Sequence, residues 1–166
     1  MREKPSSTRL FLVFLLLLGG GCGLSPDDNL TISRTPYSGR LRVDGYYEGT
    51  ADSVYFRSLW FYHNGVVLIG DAYNIHDNKG IQNQWRSAQW IEGNRRYKHR
   101  WGLFQASDSS IHVEFLTKAD AFASYNLHAR FGTITSDTSF NLVEGDITRV
   151  YRFKPFPKPD STNPFY

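Results

Sequence analysis

At 166 residues and a formal charge of +3, the chain is long enough for one packed domain and too weakly charged to coat a polyanion. A single cysteine excludes an internal disulfide, so an apolar core must hold the fold together. Arg2, Lys4 and Arg9 against Glu3 place +2 of that charge in the first 21 residues; the remainder is near +1 and offers no basic stripe for nucleic acid.

The first element is an apolar run from Leu10 to Leu18, preceded by those basic residues and followed by Gly19-Gly20-Gly21-Cys22. A charged n-region, a short apolar h-region and small residues at a cleavage point make a secretory signal peptide over residues 1–21. The run falls short of the roughly 20 residues that a membrane-crossing helix needs. Small residues ending in the chain's one cysteine resemble the lipobox of bacterial lipoproteins. That resemblance implies a diacylglyceryl group on Cys22, removal of the preceding peptide, and a membrane partner reached through lipid. Gly23 after the cysteine resembles outer-membrane sorting, and Asp27-Asp28 resembles a surface-export signal. An ordinary signal peptide that leaves a free thiol is the other reading. Residues 22–37 are largely polar, with Pro26 and Pro36, and read as the acylated cysteine and a flexible tether.

From Arg40 the chain alternates. Leu41, Val43, Gly45 and Tyr47 share one face, and Arg42, Asp44 and Tyr46 the other, which is a strand period. Val54–Tyr62 is a strongly aromatic strand with both faces apolar, so it is expected to be central and covered on both sides, or to line an occupied interior. His63-Asn64-Gly65 before Val66–Ile69 predicts a hairpin with a type I′ turn. Ile81, Gln84, Trp85, Ala88 and Ile91 recur at helical spacing and predict one helix over about 80–92, stopped at Gly93-Asn94. The basic cluster Arg95, Arg96, Lys98, His99 and Arg100 reads first as a solvated turn. Strand patterns resume at 101–106, 111–115, 125–133, 139–143 and 148–153, with turns at 107–110, 136–137 and 144–146. The end of the chain from Lys154, with four prolines, is expected to be extended and outside the sheet.

These elements make a mainly β fold: an antiparallel seven- or eight-stranded meander over residues 38–155, with one short helical insertion and a Pro-rich tail over 156–166. Such a sheet removes its edges by closing into a barrel or folding into a sandwich. The barrel is favoured, in a small lipocalin- or calycin-like form. With its Pro159-Asp160-Ser161-Thr162-Asn163 tail, the chain resembles uncharacterised bacterial envelope lipoproteins that carry a β-barrel domain. That resemblance implies no activity.

Candidate chemistry is sparse. The histidines at 63, 76, 99, 112 and 128 form no metal-binding pair in sequence, and no nucleophile elbow or phosphate loop occurs. His112 and Glu114 share a strand face, with His128 on a neighbouring strand, but solvated strand positions explain them. No catalytic residue, metal or cofactor is therefore expected. Tyr47, Trp60, Tyr62, Trp101, Phe104 and Tyr125 either line a cavity for a small hydrophobic or glycan ligand or fill the barrel solidly. The expectation is a non-enzymatic, lipid-anchored binding module at the outer membrane, contacting an envelope protein through Trp90 to Arg100. The alternative is a carrier with its ligand inside the barrel.

Overall fold

The computed structural model describes residues 30–50, 55–74, 76–118 and 125–166. Cys22, the signal segment and the first part of the tether lie outside the described residues. Eight strands form one closed antiparallel barrel in sequence order: β1 (Gly45–Thr50), β2 (Tyr55–Phe61), β3 (Val66–Asn74), β4 (Trp101–Ala106), β5 (Ser110–Lys118), β6 (Tyr125–Ser136), β7 (Ser139–Glu144) and β8 (Ile147–Pro155). The ring closes where β1 pairs with β8, Tyr47 opposite Phe153 and Gly49 opposite Tyr151. Gly49 is required there, because the Tyr151 ring occupies the space a side chain would need.

The interior is packed. Tyr47, Leu59, Phe61, Val67, Phe104, Val113, Phe140, Leu142 and Tyr151 form one buried cluster. Phe61 lies 4.6 Å from Phe104 and Tyr47 4.9 Å from Phe140, between ring centroids. Each buried ring contributes about 1.5–3 kcal/mol by leaving water. One end of the barrel is plugged by Tyr37, Leu41 and Val43, which join the same cluster. The plug is fixed by polar contacts: Arg42 N donates to Asp137 O at 3.0 Å, and Tyr47 Oη donates to the same carbonyl at 3.0 Å. Burial pushes the Tyr47 hydroxyl pKa above its ordinary value, so it stays a donor.

A second cluster lies outside the barrel, on β1–β4. Tyr46, Phe56, Trp60, Leu68, Tyr73, Trp101 and Leu103 face outward and are covered by Ile81, Trp85 and Phe156. The cover comes from two helices, α1 (Asn78–Trp85) and α2 (Ala88–Arg96), and from the C-terminal tail. This explains why β2 is apolar on both faces, as expected. The single helix expected over 80–92 is in fact two. Ser87 adopts an extended conformation (ψ 140°) and its hydroxyl accepts from Trp90 N, so it starts a new helix instead of continuing the old one. The break brings Trp85 and Trp90 to within 6.2 Å of each other over the same patch.

The β2–β3 hairpin forms as expected, but its turn differs. Gly65 alone has positive φ (+81°) there, and Asn64 does not. Gly65 N donates to Tyr62 O and Tyr62 N to Val66 O, each at 3.0 Å, which makes a three-residue loop with a left-handed glycine instead of type I′. The tip serves as a clamp. Asn64 O accepts from Arg34 Nε at 3.0 Å, and Asn64 Nδ2 donates to Ser161 Oγ at 2.7 Å.

Residues 30–37, read from sequence as the end of a flexible tether, are docked. Thr31 N and Ile32 N donate to Glu114 Oε2 at 2.6 and 3.1 Å, and the Thr31 hydroxyl donates to Oε1. Glu114, expected on a solvated face, is thereby buried. Burial raises its pKa, but these donors outweigh it, and the carboxyl stays below its ordinary range. From Phe156 the tail is extended and outside the sheet, as predicted, but Lys154 and Pro155, expected with it, close the barrel at the end of β8, opposite Tyr46 and Gly45. Phe156 packs edge-to-face against Tyr46, Trp60 and Trp85, and Lys158 Nζ donates to Phe61 O at 2.7 Å and to Val43 O.

Candidate functional site

The six aromatic residues singled out in the sequence do not share a surface. Tyr47 and Phe104 point into the packed interior. Trp60, Tyr62 and Trp101 point outward into the second cluster. Strand parity separates them: Tyr47 pairs with Leu59, so Leu59 and Phe61 face in while Trp60 faces out. Trp60 Nε1 donates to Ser58 Oγ at 3.1 Å, and Trp101 Nε1 to Asn94 O at 2.8 Å. Tyr62 lies 6.1 Å from Trp101, with Lys158 Nζ 4.4 Å from its ring centroid; burial raises its pKa. Tyr125 stands apart at the start of β6, between Lys98 and Lys118, whose ammonium groups lie 5.6 and 5.4 Å from its ring. Periodicity alone could not sort these residues, because β2 is apolar on both faces.

The histidine and glutamate group also divides. His112 Nε2 lies 3.3 Å from Glu114 Oε1 on the outer face of β5, and its ring stacks on Phe131 at 4.1 Å. His128 pairs with the inward residue Phe115, stacks on it at 5.6 Å, and so faces the opposite way from Glu114. Among the described residues, no three His, Asp or Glu side chains converge to hold a metal ion. No helix among them is long and apolar enough to cross a membrane.

The helical insertion does carry a groove of about 330 Å³, bordered by Gln84, Gln89, Trp90, Gly93, Tyr97 and Arg100. Its position follows from the break at Ser87. α2 leans back over the barrel wall, with Trp90 half-buried and Trp90 Nε1 3.4 Å from Tyr73 Oη. Tyr97 is 53% exposed and contacts His99 at 5.4 Å. Nothing lies within 4 Å of where a Gly93 side chain would begin, so the groove floor is open at that point. The basic cluster around it is partly neutralised. Arg95 pairs with Glu92 at 2.6 Å and with Asp160 at 2.9 Å, and Arg100 pairs with Asp71. Burial and the neighbouring Arg100 charge lower the His99 pKa. The surface presents amides, one exposed phenol and a part-buried indole, a composition suited to contact with a polar partner.

No protein-family model matches the chain, and comparison with curated proteins and with solved structures gives no match either.

Proposed function

We propose that the protein is a lipid-anchored envelope binding module that works by contact through its helical insertion. The observation that carries this reading is a filled barrel beneath an insertion bearing an open groove with Trp90 and Tyr97. A packed interior favours contact over carriage inside the barrel. The signal-like segment ending in Cys22 supports an acyl anchor at the outer membrane. Two or more acyl chains hold such a domain essentially permanently, at about 0.8 kcal/mol per buried methylene. Confinement to a membrane raises effective concentration, so a modest affinity suffices.

Two measurements test this. Cys22→Ala takes up no labelled fatty acid; equal labelling of wild type and variant overturns the anchor. Photocrosslinkers placed at Gln89 and Tyr97 in intact envelopes capture one partner, and Gly93→Glu reduces that capture at least tenfold. A Cβ added at Gly93 meets no neighbouring atom within 4 Å, and replacing a helical glycine favours the helix, so the melting temperature is expected to hold or rise. Undiminished capture places the contact elsewhere. Deleting the whole insertion is a poorer test, because Ile81 and Trp85 belong to the outer core.

A further inference from the structure

At the end of the barrel opposite the Tyr37 plug, the inward-facing positions change from apolar to charged. On β6 the residues opposite the inward-facing Val113 and Phe115 are Arg130 and His128. On β2 and β8 the same end carries Arg57, opposite Gly49, and Arg149, opposite Leu142. One carboxylate stands among them. Glu144 Oε1 accepts from Arg130 Nη1 at 2.9 Å and from Tyr151 Oη at 2.8 Å, and Glu144 Oε2 lies 3.2 Å from Arg149 Nε. A cavity of about 470 Å³ opens above, lined by Arg57, Phe115, Thr117, His128, Arg130 and Glu144.

Charge is unbalanced there. Among the described inward-facing residues, three guanidiniums face one carboxylate. Arg57 has no carboxylate partner among the described residues. Arg149 is only 8% exposed, and its Nη1 is buried with no hydrogen-bond partner among the described residues. Its Nε is within ion-pair range of Glu144 but off the line of a hydrogen bond. Burial, together with the charges of Arg57 and Arg149, lowers the Arg130 pKa, with Glu144 acting against them. Unmatched buried guanidinium is costly to a fold, and a stabilising core would not place it here.

We propose that this mouth binds a small dianionic ligand, a phosphate monoester or a dicarboxylate, between Arg57 and Arg130. The planar guanidinium fork matches both anions. Glu144 Oε1 takes hydrogen bonds from Arg130 and Tyr151 and Oε2 lies in ion-pair range of Arg149, so the carboxylate holds these two arginines apart. The stacked Phe115–His128 pair gives a flat wall for the organic part of the ligand. Leu142 and Tyr151 are fully buried beneath, so the ligand sits in a cup and does not enter the barrel. This inference rests on neither the lipid anchor nor the helical groove.

The test is isothermal titration of the full chain in detergent with inorganic phosphate and, separately, with succinate. Millimolar or tighter binding that weakens as salt rises from 50 to 300 mM is the expected result, and the tighter probe assigns the ligand chemistry. Arg57→Gln is expected to weaken binding about tenfold with an unchanged melting temperature, since Arg57 has no ion-pair partner among the described residues. Arg57→Lys, which keeps the charge but loses the fork, is expected to cost about threefold and serves if the glutamine variant does not fold. Arg86→Gln, whose guanidinium covers Phe156 on the outer wall, leaves affinity unchanged. Absence of heat with both probes, or equal binding by wild type and the Arg57 variants, overturns the proposal.

Discussion

The two halves of the barrel wall are built differently. Outside β1–β4, Trp60, Leu68 and Trp101 are sealed beneath α1, α2 and the tail. Outside β6–β8 no second layer among the described residues lies over Phe131 and Ile147, which are 59% and 58% exposed. On β6 the usual arrangement is reversed: Leu127, Ala129 and Phe131 face outward, while His128 and Arg130 face the mouth. A clad wall can spend both strand faces on packing. A bare wall beside a charged mouth has its polar residues drawn inward and its apolar ones left in solvent. Alternation thus fixes which residues share a face, and only the environment decides which face is inside.

The comparison is broken most severely at Trp85. Its ring lies 4.8 Å from Tyr46, 5.0 Å from Trp60 and 5.7 Å from Phe156. Trp85→Ala is expected to cost about 3–5 kcal/mol by denaturant titration. A loss below about 1 kcal/mol would mean that the cladding folds independently of the barrel. Gly65→Val comes next, at about 1–3 kcal/mol from backbone strain. It also drives a side chain into the Thr35 carbonyl, so protease cleavage within residues 30–37 should accelerate. An unchanged cleavage rate would separate the hairpin from the docked segment.

A smaller effect is expected from pH. Burial lowers the Lys158 pKa from 10.5 to about 8, against the opposing pull of Asp44. Between those values the unfolded chain holds the proton and the folded one does not, so stability rises as pH climbs through 8. Lys158→Met should abolish this rise between pH 8 and 9.5, below the range in which tyrosines ionise. A rise that persists in the variant assigns it to another group. The smallest effect belongs to the bare wall: Phe131→Ser should change stability by no more than about 0.5 kcal/mol. A large loss there would show that the wall is covered in solution.

Much of the architecture was legible in residue periods. The meander, the aromatic β2 with its two covered faces, the hairpin around Gly65 and the extended tail all follow from local pattern. Other features depend on long-range partners. The helix break at Ser87 is set by a cap competing with a continuous apolar stripe. Glu114 looks like a solvated strand residue until Thr31 and Ile32, 83 and 82 positions away, are brought to it. The mouth was hidden for the same reason. Arg57, Arg130, Glu144 and Arg149 lie on four strands, and no spacing in the chain announces that they meet.

The docked segment from Thr31 to Tyr37 also defines a mechanical load path. Tension applied at Leu30 reaches the Glu114 carboxylate first, then the Arg34–Asn64 contact, then the Tyr37 plug, whose N–H donates to His63 O at 2.6 Å. These attachments lie in series along the chain, so they peel one after another instead of sharing the force. Each release lengthens the leash, by about 24 Å for the seven residues together, before any strand pair of the barrel is loaded. Under such a load the segment would extend first, while the barrel and its sites stay folded.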